Sequence, residues 1–171
     1  LFKNNGRNSR AAKILAHKFF DCDYSIYWDS NVFMTEKLTS EQLIEKYLGD
    51  YDISVMKHPY RDCVFEEIEA AKTRTNDEKE KEILTKQSKH YKNISFPEHC
   101  GTLASYQPLI RKHSKIIERF NEAWWAEYTR FSRRDQLSFP VAIDKVGLRV
   151  NIINAPWTFN QDGTVTRDGV I

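Results

Sequence analysis

The sequence predicts a mixed α/β domain in which a sheet is flanked by helices. Short apolar and aromatic runs, "YSIYW" at 24–28 and "YDISVM" at 51–56, read as buried strands. They alternate with longer stretches of helical periodicity, of which "HSKIIERFNEAWWAEYTRF" at 113–131 is the clearest. A length of 171 residues supports one sizeable core but not two, so a single domain over 1–171 is expected.

Taken in order, Ser9 is placed to cap a helix through "RAAKILAHKFF", with Ala12, Leu15, Ala16 and Phe19 as its apolar stripe. "YSIYW" follows as a strand, and "DSN" at 29–31 is its exit. "SEQLIEKYLG" reads as a helix capped by Thr39 or Ser40 and stopped near Gly49. "YDISVM" is the second strand and ends in "KHPYRDC". From Val64 to about Lys92 the chain is helical and highly charged, with "TRTNDEKEKE" as an exposed turn or break. "GTLASYQPLI" is expected to be a loop and a short strand. In the helix that follows, Ile116, Ile117, Phe120, Ala123 and Trp124 share a face, while Trp125 lies about 100° further round. "RRDQLSFPVAIDKVG" predicts a short helix cut or bent at Pro140. The tail has strand-like pieces and Asp-Gly turn signals at 162–163 and 168–169.

Composition narrows the function. With 26 basic and 24 acidic residues the formal charge is only +2, which argues neither for nor against bulk nucleic-acid binding because local clustering matters more than the sum; no nucleic-acid partner is expected. No run approaches the length of a membrane span, and no basic-then-apolar leader is present. Cys22, Cys63 and Cys100 have neither zinc-finger spacing nor an even count, which points to a reducing, cytoplasmic compartment.

Four clusters carry candidate chemistry. Asp29 and Asn31, at the carboxyl end of a core strand, can both face a hard cation holding phosphate oxygens; an Asx turn is the alternative. Lys13 and His17, extended by Arg10, offer charge and hydrogen bonds to a phosphate, or else form a wet helix face. His58 and Arg61 stand just past a strand, and Glu66 and Glu67 open the next helix. Arg61 can grip a carboxylate or phosphate of a ligand, or pair with a neighbouring carboxylate. In "RRDQ", Asp135 and Gln136 can hold sugar hydroxyls, or Asp135 can stand beside a reacting carbon; helix capping with arginine partners is the alternative. Trp124 reads as core and Trp125 as a platform for the apolar face of a sugar, or a second core contact.

In order and spacing, "RAAKILAHKFF" before "YSIYWDSN", then "HPYRDCVFEE" and "WWAEYTRFSRRDQLSFP", resemble the TOD1/MUCI70 glycosyltransferase-like family over about residues 8–147. The resemblance implies a GT-A-type fold that transfers a sugar from a nucleotide-sugar donor, such as a UDP-sugar, to a glycan or related hydroxyl in polysaccharide biosynthesis. It implies Mn²⁺ or Mg²⁺ at an acidic motif, here Asp29 and Asn31. Lys13, His17, His58, Arg61, Glu66, Arg134, Asp135 and Gln136 would line the cleft, with Asp135 or Glu66 orienting or deprotonating the acceptor. Three departures stand out. Asn31 replaces a second carboxylate, no histidine follows His113, and only 28 residues precede Asp29. The last implies that this stretch lacks the N-terminal donor-base portion. A metal-assisted hydrolase and a non-catalytic carbohydrate- or protein-binding module are the competing expectations.

Overall fold

The structure is a computed structural model and describes residues 5–29, 32–34, 37–101, 103–154, 157–159 and 165–167. Its central sheet has four strands in the order β1 (Tyr24–Tyr27), β4 (Ala104–Lys112), β3 (Ile53–Lys57) and β5 (Val150–Ile153). β4 is antiparallel to both β1 and β3, and β3 is parallel to β5. Strands β1, β3 and β5 therefore run the same way, and their carboxyl ends share one edge of the sheet. Such an edge is where open α/β sheets gather ligands. A separate three-stranded sheet is formed by β2 (Val32–Met34), β7 (Val165–Arg167) and β6 (Trp157–Phe159).

Both faces of the central sheet are covered, which explains the near-continuous apolar run of β3. On one face Ile53, Val55 and Leu109 meet Ile14, Leu15, Phe120, Trp124, Phe139 and Ile143. These come from α1 (Asn5–Ile14) with the residue after it, α6 (Lys115–Arg130) and α7 (Asp135–Val146). On the other, Met56, Ile110 and Ile153 meet Tyr47 and Leu48 of a π-helical segment, Ile44–Leu48, that continues α3 (Ser40–Leu43). A third cluster joins α4 (Val64–Thr73) and α5 (Glu78–Asn93) to Leu137 and Val141 of α7.

Local signals account for most boundaries. Thr39 Oγ1 accepts from the Gln42 backbone while the Gln42 side chain accepts from the Thr39 backbone, a reciprocal cap. Gly49 closes the π-helical segment at φ +50°, where a side chain would be strained. The charged break falls between α4 and α5, and Asp77 caps the restart by accepting from Lys79 N and Glu80 N.

Four expectations are corrected. The first helix starts at Asn5, so Ser9 lies inside it, and Leu15 (φ −96°, ψ 38°) separates it from α2 (Ala16–Phe19). The break rotates the stripe: Ala11, Ile14, Leu15 and Ala16 are buried, whereas Ala12 and Phe19 are exposed. β4 is nine residues long, and Pro108 sits where its register with β3 shifts, a place that tolerates a missing amide. Helix α7 runs through Pro140 uncut. Residues 135–143 are all buried, so packing offsets a proline cost of about 3 kcal/mol. The Asp-Gly turns lie outside the described residues.

Candidate active site

Helix α1 ends early at Ile14, which leaves its last carbonyls without intrahelical donors. Arg111, fully buried on β4, supplies them: it donates to the Lys13 carbonyl (2.8 Å), the Ile14 carbonyl (3.3 Å) and Asn121 Oδ1 (3.0 Å). Burial drives its guanidinium pKa down to about 10. This anchor fixes Lys13 over the end of β1.

There the side chains of three elements converge. Lys13 Nζ reaches Asp135 Oδ2 of α7 at 2.6 Å, and both residues are only 6% exposed. The ammonium also lies 4.7 Å from the Tyr27 ring centroid and 5.9 Å from that of Trp124. Arg10, one turn earlier on α1, brings Nε to 3.5 Å from the same carboxylate oxygen. The Asp135 backbone is held too, since its carbonyl accepts from the Trp124 indole (2.9 Å) and the Ser138 hydroxyl (3.0 Å). Burial alone would raise the Asp135 pKa, but Lys13 and Arg10 outweigh it and hold the carboxyl below its ordinary value.

Asp29 leaves the end of β1 beside this group and accepts the Tyr27 hydroxyl on Oδ1 at 2.6 Å. Burial first, then the bond to Asp29 and its charge, push the Tyr27 pKa up. Asn31 lies outside the described residues. The carboxylate of Asp29 is thus braced by a phenol and stands within the field of Arg10. Among the described residues, Asp29 and Asp135 are the carboxylates of this group, and Lys13 and Arg10 already hold Asp135.

At the end of β3, Glu67 is the centre of a second network. It is 1% exposed and accepts from Arg61 Nε (2.5 Å) and Arg74 Nη1 (3.1 Å), with His58 Nε2 at 3.6 Å. His58 Nδ1 accepts the backbone N–H groups of Arg61 (2.9 Å) and Tyr60 (3.3 Å), so it carries no proton. Burial, helped by the Arg61 and Arg74 charges and opposed by Glu67, lowers the His58 pKa. Glu66 points elsewhere and is exposed; its carboxylate lies within 4.8 Å of ligand atoms of Asp62 and His99. Asp62 accepts from His99 Nδ1 at 2.6 Å and raises the imidazole's pKa, which favours an imidazolium partner over a metal ligand.

Between the two networks lies a cleft of about 320 Å³, lined by Arg10, Arg74, Arg133, Arg134, Thr75 and Glu80. Arg10 links it to Asp135 and Arg74 links it to Glu67, while Arg133 Nη2 pairs with Glu80 at 2.9 Å. The buried Nε atoms of Arg10 and Arg134 have no hydrogen-bond acceptor among the described residues.

Of the residues singled out from sequence, Lys13, Asp29 and Asp135 therefore meet at one sheet edge, and Arg134 lines the adjoining cleft. His58 and Arg61 join it only through Glu67 and Arg74. Gln136 is buried in the first turn of α7. His17 lies toward α6 instead: Asn121 donates to its Nδ1 at 3.0 Å and Glu122 stands 3.3 Å from Nε2. Trp125 is half-buried against the core, its ring 5.6 Å from that of Tyr128. Arg61 thus takes its ion-pair alternative, with Glu67 as the carboxylate, while Arg74 and Tyr27 are residues that sequence reasoning does not single out. A signal for Glu67 existed, because it shares the helical face of Val64, Ile68 and Ala71 and an acid in an apolar stripe needs partners. Arg74 sits in a charged break and has no local signal.

The profile of the TOD1/MUCI70, glycosyltransferase-like domain matches residues 1–161. A protein of Arabidopsis thaliana described as "Probable hexosyltransferase MUCI70" is 26% identical over 170 residues, covering 94% of this chain. The chain spans 28% of that protein's length. No solved structure matches it significantly.

Proposed function

This chain belongs to the TOD1/MUCI70 glycosyltransferase-like family, and we propose that it transfers a hexosyl unit from a nucleotide sugar, a UDP-hexose, to a hydroxyl of a glycan. The observation that carries the reading is the convergence of Lys13, Tyr27, Asp29 and Asp135 at the carboxyl edge, beside an arginine-lined cleft. An anionic leaving group and a sugar hydroxyl make opposite demands, cationic donors for one and a carboxylate for the other. This edge offers both.

In the transfer, the bond from the anomeric carbon to the diphosphate oxygen breaks, and its electron pair leaves with the nucleoside diphosphate. The acceptor oxygen bonds to the same carbon and gives up its proton. Asp29 is the carboxylate assigned to that proton, with the Tyr27 hydroxyl holding Oδ1 in place. Asp135 is poorly suited to it, because two cations hold its pKa down and its exposure is small. Its role here is to position Lys13 and Arg10. Glu66, expected as an alternative base, projects into the exposed group with Asp62 and His99. Asn31, the expected second ligand, lies outside the described residues, and no step is routed through a metal ion.

A panel of UDP-hexoses with neutral and acidic oligosaccharides tests the reading. The expected result is UDP release that depends on acceptor, with the acceptor gaining one hexosyl mass. UDP release to water alone would favour hydrolysis, and no release from any donor would refute transfer by this chain.

A further inference from the structure

We propose that the four-arginine cleft holds the donor's diphosphate directly, so that guanidinium groups take over the charge neutralisation a divalent cation would supply. This rests on the transfer reading above and specifies how its leaving group is bound.

The charge arrangement carries the inference. Each of three arginines has a carboxylate on the protein: Asp135 for Arg10, Glu67 for Arg74, Glu80 for Arg133. Arg134 makes no ion pair with any described residue and still projects into the cleft. The set is unbalanced toward positive charge at a confined place, although the whole chain carries a formal charge of only +2. The hydrogen bonding is incomplete in the same direction. Among the described residues the buried Nε of Arg134 has no acceptor, and the buried Nε of Arg10 has the Asp135 oxygen only at 3.5 Å, without a hydrogen bond, a costly state for charged donors. An oxyanion with several acceptor oxygens would satisfy both, and a guanidinium presents its donors in a planar fork suited to phosphate.

Position adds a second argument. Arg10 contacts Asp135, which anchors Lys13 above Tyr27 and Asp29. A diphosphate in the cleft therefore places the anomeric carbon toward Asp29, the carboxylate assigned to the acceptor proton. As the carbon–oxygen bond breaks, charge grows on the leaving phosphate oxygen while the acceptor proton passes to Asp29. Fixed guanidinium groups at the cleft meet that charge without reorganisation. Asp29, whose Oδ1 accepts from the Tyr27 hydroxyl, stands on the acceptor side.

The test is calorimetric titration of inorganic pyrophosphate and of UDP, each in EDTA and in Mn²⁺, into the chain and its Arg134→Gln and Arg10→Gln variants. Arg134→Gln is the decisive variant, since Arg134 has no ion-pair partner among the described residues and should fold normally; a melting curve confirms this. Lys115→Gln, at a site whose side chain is 92% exposed, is the control. Binding of both probes in EDTA, unchanged by Mn²⁺ and weakened about tenfold or more by Arg134→Gln, is expected. Uridine should bind far more weakly than UDP. Binding that disappears in EDTA, binding indifferent to both arginine substitutions, or no binding of either probe overturns the proposal. The two readings fail separately. Chelator-resistant, arginine-dependent binding without hexosyl transfer refutes transfer and keeps the cleft, whereas transfer with cation-dependent binding does the reverse.

Discussion

Replacing Asp135 by Asn removes a charge at nearly constant volume and isolates the pairing that organises this edge. Asp135 and Lys13 are each 6% exposed, with Nζ and Oδ2 2.6 Å apart. Removing one member of such a buried pair leaves the other charge uncompensated, at a cost of about 3–5 kcal/mol. The amide oxygen of Asn still accepts a hydrogen bond, and Arg10, 34% exposed at its side chain, can turn to water. The loss is therefore expected near the lower bound, about 3 kcal/mol. For a domain of this size that lowers Tm by roughly 6–12 °C. Urea denaturation and thermal melting followed by circular dichroism read it directly. Adding Lys13→Met removes the stranded ammonium, so the double variant should recover at least half of the loss. Acid adds an independent check. The Asp135 pKa is depressed in the folded state, so its stabilisation is present above the ordinary carboxylate value and is lost as pH falls through the lower, folded value. The wild-type advantage should thus hold steady from pH 7 to about 5 and shrink only below about 4. A loss under about 1 kcal/mol, or a double variant no better than the single one, would refute the argument.

Other expectations follow from the same geometry. His58 is held neutral, with its pKa lowered, so the unfolded chain binds more protons and stability should fall as pH drops below about 6.5. His58→Asn keeps an acceptor but cannot titrate, and its urea midpoint should lose that part of the slope; an unchanged slope would contradict the assignment. Arg111→Met removes the donors to Lys13, Ile14 and Asn121 and should cost at least about 3 kcal/mol, with faster amide exchange in α1. Exchange unchanged in α1 would mean that Arg111 does not anchor it. Tyr27→Phe loses only the hydrogen bond to Asp29, so stability should fall by about 1 kcal/mol while pyrophosphate binding stays within twofold. A large loss of pyrophosphate affinity would place the anion at Tyr27 instead of in the cleft.

Much of the fold is legible in local patterns, because strands β1 and β3 and helix α6 each carry their own periodicity. What escaped depends on distant partners. The break at Leu15 is stabilised by Arg111, roughly a hundred residues away in sequence, and no local signal shows that it rotates the apolar stripe. Pro140 reads as a helix breaker until the burial of α7 along residues 135–143 is known. In the site, Lys13 and Asp135 each look like a surface charge, and only the packing of α1 and α7 makes them a buried pair. Glu66 enters the expected site only through the family resemblance, and it is exposed. Glu67 is the buried one, and the apolar face it shares with Val64 and Ile68 was the cue.

The most direct test of the central claim is a crystal structure of the chain with UDP bound in the presence of EDTA. The account predicts phosphate oxygens within hydrogen-bond distance of Arg10 and Arg134, and the β-phosphate facing the edge that carries Asp29. UDP seated elsewhere, or bound with its phosphates away from these arginines, would contradict it.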